Sequence, residues 1–186
     1  MRAFIAIDLP SALKDKINEF IFKIKEKNIV NAKFVAKENL HFTLKFLGEV
    51  DEKIVNKLNS ILENICLSQN SFDIELKGLG EFKKRVLWIG CENHNDFQRL
   101  ANEINLKLRV LGFPKEKFFE PHLTIARIKS INDIKQFDQT IKNYKNKQFG
   151  SFKVSEVCLE QSVLTKQGPI YKKLNCFKLK CENQNY

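Results

Sequence analysis

Two copies of one short pattern, His41-Phe42-Thr43-Leu44 and His122-Leu123-Thr124-Ile125, stand 81 residues apart in a chain of 186. The whole chain holds three histidines and four threonines, so two His-x-Thr pairs by chance are expected on the order of once in a thousand such chains. Each copy sits in an apolar run that reads as a strand, where residues i and i+2 project from the same face about 7 Å apart. Each strand therefore presents an imidazole and a hydroxyl together, while Phe42, Leu44 and Phe46, or Leu123 and Ile125, point the other way and anchor it to a core. Facing one another, the two strands make a four-residue polar site. Histidine, with an unperturbed pKa of about 6.5, can be neutral in one copy and protonated in the other near neutral pH. Such a pair donates and accepts protons in one reaction. The hydroxyls of Thr43 and Thr124 can donate to an anionic oxygen or accept from a ring N–H, which suits a phosphoryl group held between the imidazoles. For a lone His-x-Thr, a satisfied strand residue is the ordinary explanation; the duplication argues against it.

The flanking sequence supplies elements able to hold such strands. Residues 3–7 form a short apolar run stopped by Asp8-Leu9-Pro10, and Ser11 offers a helix N-cap. Leu13, Ile17, Phe20, Ile21 and Ile24 then recur at helical spacing across residues 12–27, with lysines between them. An extended segment at 33–35 leads into the first His strand, residues 41–47. A second helix begins at Asp51, and a strand is expected over 72–76. Residues 86–91 reopen the same order: a helix over 95–111, the second His strand, a helix over 131–144 and a strand over 152–157. Equal order and near-equal spacing mark an internal duplication with a pseudo-two-fold relation. The last residues, 157–164 and 171–179 around Gly168-Pro169, read as a terminal hairpin. An α+β protein follows, one domain of two intimately packed lobes with mostly antiparallel sheets facing a central cleft.

Composition narrows the partners. Sixteen Phe, 43% hydrophobic residues, seven Gly and four Pro describe a folded chain with little linker. The formal charge is +10, with 15 basic and 13 acidic residues over 1–93 and 17 against 9 over 94–186. That surplus favours a polyanion, nucleic acid above all, although a solvated lysine-rich surface explains it equally well. The five cysteines (Cys66, Cys91, Cys158, Cys176, Cys181) are odd in number and scattered, and read as reduced thiols. No run suits a signal peptide or a membrane span, so a cytoplasmic protein is expected.

The opening Met1-Arg2-Ala3-Phe4-Ile5-Ala6-Ile7, then Asn39-Leu40-His41-Phe42-Thr43-Leu44-Lys45-Phe46-Leu47-Gly48 and Pro121-His122-Leu123-Thr124-Ile125-Ala126-Arg127, resemble the RNA 2′,3′-cyclic phosphodiesterases. These are also called 2′-5′ RNA ligases and belong to the two-histidine phosphoesterase superfamily. The likeness runs from Met1 to about Leu179. It implies a bilobal fold with both motifs in the central groove. It also implies metal-independent opening of a 2′,3′-cyclic phosphate at an RNA end, tRNA fragments included, to a 2′-phosphomonoester, with no cofactor and with 2′-5′ ligation as the reverse reaction. A monomer is expected. Resemblance to the family's first and second motifs assigns His41 as proton donor and His122 as proton acceptor, roles the symmetry of the sequence leaves open. Arg127 is the candidate guanidinium for the phosphate and resembles an arginine at that position in the family. Strict alternation would turn it away from His122, so a bulge or a strand end is required; otherwise it is a surface arginine. His94 reads as a helix-start residue.

Three rival readings remain. A phosphodiesterase for small cyclic nucleotides would use the same four residues in a closed pocket. A non-catalytic RNA-binding module would need only the charge. A zinc site built from His41 and His122 lacks a third ligand at suitable spacing.

Overall fold

The computed structural model describes residues 1–92, 94–114, 119–166 and 168–181. Among these residues nine strands form one curled sheet, and every pairing between them is antiparallel. In chain order they are β1 (Arg2–Asp8), β2 (Val30–Phe34), β3 (His41–Glu49), β4 (Phe72–Phe82), β5 (Val86–Glu92), β6 (His122–Ile131), β7 (Gln148–Val154), β8 (Glu156–Leu164) and β9 (Pro169–Lys178). Four helices cover it: α1 (Ser11–Glu26), α2 (Val55–Ser68), α3 (Asn95–Lys107) and α4 (Ile134–Tyr144). The α+β class expected from the sequence is the class observed. No helix among the described residues is long and apolar enough to cross a membrane.

The strand order is β7-β4-β5-β6-β3-β1-β8-β9, with β2 on β6. The two His strands are thus central neighbours, joined through Phe42 and Leu123, and each heads a wing of the sheet. The wings are the two lobes, and they are not the two halves of the sequence. β4, from the first half, lies in the β6 wing beside β5, and β8, from the second half, lies in the β3 wing beside β1. The helices cross over as well. α1 packs with α4 against β7 and β4, while α2 and α3 cover the other wing. The tight β4–β5 turn explains the exchange. A two-stranded hairpin keeps sequence neighbours in one sheet, so β4 follows β5 into its lobe.

Helix α1 buries Leu13, Ile17, Phe20, Ile21 and Ile24, the stripe read from the sequence. Each such side chain stabilises the fold by roughly 1.5–3 kcal/mol relative to exposure. Ser11 is the first helical residue rather than the cap; the Pro10 carbonyl accepts from Leu13 and Lys14 N–H. Several boundaries differ from expectation: α2 starts at Val55 rather than Asp51, α3 ends at Lys107 rather than Leu111, and β2 spans Val30–Phe34 rather than 33–35. β4 runs on to Phe82 through two glycines: Gly78 is the extra residue at the register shift with β5, and Gly80 pairs with Trp88. β6 continues to Ile131, and α4 starts only at Ile134, capped by Asp133, whose Oδ1 accepts from Gln136 N–H at 2.9 Å. The strand expected over 152–157 belongs to two strands, β7 and β8, parted at Ser155.

The reading of all five cysteines as reduced thiols is corrected for two of them. Cys158 and Cys176 are directly opposite on β8 and β9, 4.1 Å apart at Cα, and form a disulfide. Sequence spacing carries no trace of this, because only strand register brings the two together. Cys66, Cys91 and Cys181 are free, and burial pushes the thiols of Cys66 and Cys91 up to about 12.

Candidate active site

Both motif strands carry a bulge at the same place. On β3, Ala6 of β1 pairs with Thr43 and Ile5 with Lys45, so Leu44 has no opposite number. On β6, Trp88 of β5 pairs with Thr124 and Leu87 with Ala126, which leaves Ile125 unopposed. An extra residue resets the alternation. Leu44 and Lys45 are consecutively buried, and Phe46, expected from strict alternation to anchor the strand in the core, instead emerges 63% exposed on the cleft side; Ile125 and Ala126 are consecutively buried and Arg127 emerges. The bulge that the sequence demanded for Arg127 is therefore present, and Arg127 shares a face with His122 and Thr124.

His41, Thr43, His122, Thr124 and Arg127 all line one cleft of about 700 Å³ between the wings. The histidines are held alike. His41 Nδ1–H donates to the Asn39 carbonyl at 2.7 Å and His122 Nδ1–H to the Glu120 carbonyl at 2.8 Å, each two residues back. This bond selects the tautomer and leaves Nε2 for the cleft. In neutral His41, Nε2 accepts from the Thr43 hydroxyl at 3.0 Å. His94 stands at the start of α3, its ring 3.3 Å from the Cys91 carbonyl and outside the cleft lining, as the sequence suggested.

Sequence reasoning missed the aromatic walls. His41 lies against Phe4 at 4.9 Å and edge-on to Tyr171 at 5.1 Å between centroids. His122 lies edge-on to Phe82 at 5.0 Å, with Trp88 behind at 6.5 Å. Such pairs contribute about 0.5–1.5 kcal/mol beyond burial and fix ring orientation. Trp88 reaches its place only because residue 80 is glycine: a Cβ there would come within 2.2 Å of the indole. Phe4 and Phe82 offered no signal, since a Phe in a strand is ordinary. Lys45 was also missed. Buried in the core, its ammonium donates to Asn105 Oδ1 at 2.6 Å and to the Pro114 carbonyl at 2.8 Å, tying β3 to α3 and to the segment that leads into β6.

Charges lie close to the first histidine. Asp8, opposite His41 in register, binds Lys14 at 2.5 Å and Lys173 at 2.8 Å. Burial opposes ionisation of Asp8, but those two lysines overcome it and hold its carboxyl below the usual range. Burial lowers the His41 pKa from its ordinary 6.5, against the raising effects of the Asn39 carbonyl and Asp8. Burial likewise raises the Tyr171 hydroxyl, opposed by the charge of Arg127.

Residues 3–179 match the family described as the AKAP7 2′5′ RNA ligase-like domain. The chain belongs to this family. Among similar members, the RNA 2′,3′-cyclic phosphodiesterase of Methanocaldococcus jannaschii is 46% identical over 175 residues, covering 92% of this chain and 96% of that protein. That of Methanothermobacter thermautotrophicus is 35% identical over 183 residues, covering 96% and 99%. Among solved structures, TT0787 of Thermus thermophilus superposes with a TM-score of 0.82 at 28% identity, covering 98% of this chain and all of that one. Escherichia coli LigT in apo form gives 0.78 at 27%, covering 96% and 97%. The fold is thus shared with both structures over essentially the whole chain.

Proposed function

We propose that the protein hydrolyses the 2′,3′-cyclic phosphate at RNA 3′ ends to a 2′-phosphomonoester by acid/base catalysis between its two histidines, without a metal. The observation that carries this reading is that two imidazoles, two hydroxyls and one guanidinium, drawn from both wings, line a single cleft. His122 takes a proton from water as its oxygen attacks phosphorus. The bond from phosphorus to the ribose 3′ oxygen breaks, and His41 Nε2–H protonates that oxygen. Thr43, Thr124 and Arg127 donate to the non-bridging oxygens, where negative charge grows in the transition state. The names of the relatives, RNA 2′,3′-cyclic phosphodiesterase, support the substrate class. Escherichia coli LigT complexed with phosphate and with 3′-AMP supports a cleft suited to phosphoryl groups. Reversal of the same steps with a 5′-hydroxyl in place of water would make a 2′-5′ linkage.

The test is incubation with an RNA ending in a 2′,3′-cyclic phosphate in EDTA, followed by identification of the product end. A 2′-phosphate formed at an undiminished rate is expected. Loss of activity on chelation, restored by a divalent ion, would overturn the metal-free mechanism.

The lowered pKa of His41 adds a pH signature. As the acid, His41 must be protonated, and in the free enzyme that form is lost as pH rises through a pKa below 6.5. A bound phosphodiester anion favours the imidazolium and moves this pKa upward. The alkaline limb of kcat/KM, which reports free enzyme, is therefore expected at lower pH than that of kcat. Coincident limbs, or the reverse order, would assign the alkaline limb to a group other than His41.

A further inference from the structure

The surplus charge is concentrated on one outer face. The helical layer of the β6 wing, residues 11–27 and 134–147, carries nine basic and four acidic residues. The layer of the other wing, residues 55–68 and 95–107, carries three of each. Half of the chain's +10 thus resides on α1, α4 and the turns that follow them. Of the four acidic residues in that layer, Asp15 already pairs with Lys37 and Asp138 with Lys84, leaving Glu19 and Glu26. Among the described residues, Lys25, Lys27, Lys142, Lys145 and Lys147 form no ion pair. A helix C-terminus favours one or two cations, but two adjoining C-termini here gather five, all exposed.

Aromatic rings interleave with these lysines. Lys25 lies over Phe22 at 4.9 Å and Phe34 at 5.2 Å, Lys27 over Tyr144 at 5.9 Å, and Lys147 over Phe149 at 5.5 Å. Phe22 is 53% exposed. The patch is also continuous with the cleft. Phe34 is the last residue of β2, and its neighbour Lys33 pairs directly with Arg127 of β6. Lys33 lies beside Gly168 in the β8–β9 turn. From Arg127 in the cleft, cations therefore pass over β2 by way of Lys33 to Lys25 and the paired ends of α1 and α4.

We propose that this ridge binds the sugar-phosphate backbone of a single-stranded RNA whose 3′ end occupies the cleft. The inference rests on the RNA reading of the site. Lysines without acidic partners give sequence-independent attraction for phosphates, and an exposed Phe accepts any base face. The ridge thus assigns long RNAs, rather than mononucleotides, as the favoured substrates. It also assigns to the β6 wing a binding role that the β3 wing does not share.

The test uses the full chain carrying Lys25→Gln/Lys27→Gln/Lys147→Gln, which keeps most of each side chain's apolar stem over its ring. The charge-matched control is Lys53→Gln/Lys57→Gln/Lys107→Gln on the opposite wing. Two quantities are measured: affinity for a 3′-hydroxyl RNA of about twelve nucleotides between about 50 and 200 mM salt, and hydrolysis of a nucleoside 2′,3′-cyclic phosphate. The ridge variant is expected to bind RNA at least about tenfold more weakly at the lower salt, with its log–log salt slope reduced by about two, as three lost phosphate contacts require. The control should bind as wild type, and both variants should hydrolyse the mononucleotide normally. Equal weakening in both variants, an unchanged slope in the ridge variant, or loss of its mononucleotide turnover would each overturn the proposal. RNA binding that depends on the ridge in a protein that opens no cyclic phosphate would leave the ridge standing and remove the reaction.

Discussion

Replacing His122 by Ala is expected to slow hydrolysis of a 2′,3′-cyclic phosphate by about 10²–10⁴-fold, and His41→Ala by a similar factor, the usual range for loss of a general acid or base. Both side chains face the cleft and contact ring edges rather than fill the core, so the variants should fold. The two losses differ in kind. A proton donor matters only while the leaving oxygen is basic, so a diester whose leaving group is a weakly basic phenoxide should restore much of the rate to His41→Ala. It should not rescue His122→Ala, because water still has to be activated. Rescue of His122→Ala alone would exchange the two roles. Turnover near wild type in either variant would take that residue out of the chemistry.

Arg127→Ala is the second large effect. A hydrogen bond to a charged group contributes about 1.5–3 kcal/mol, and its removal is expected to lower kcat/KM by about 10- to 150-fold. Arg127→Lys keeps the charge but not the planar fork, and should recover only part of this. Thr43→Ala and Thr124→Ala should fall in the same range or below, Thr43 adding a change in the pH profile because it also holds His41 Nε2 at 3.0 Å. An Arg127→Ala protein with wild-type kinetics would make that side chain the surface arginine that strict strand alternation describes.

Arg127 also marks where sequence and structure part. That His122 and Thr124 share a face, and that His41 and Thr43 do, follows from a period of two. The apolar partners Phe42, Leu44, Leu123 and Ile125 are buried as that period demands. The helical stripe of α1, the terminal hairpin and the duplication were legible for the same reason: each is a local periodicity, and burial of one face rewards it wherever the element lies. The side on which Arg127 emerges was not legible. It depends on Ile125 having no opposite residue on β5, a fact of inter-strand register.

The remaining gaps have one physical origin. Phe4, Tyr171, Phe82 and Trp88 reach the two imidazoles from β1, β9, β4 and β5, and no spacing along the chain relates them. The disulfide joins Cys158 to Cys176 because β8 and β9 pair in that register. The charge surplus looked like a property of the second half of the chain, but α1 crosses to the wing that carries α4, so much of it gathers on one lobe. By itself, the sequence determined which residues could do chemistry and which faces of their strands they occupy, because backbone geometry sets those within a few residues. Only the tertiary structure decided what stands opposite each histidine, where Arg127 points and where the lysines collect, because those depend on which strands neighbour each other and in what register.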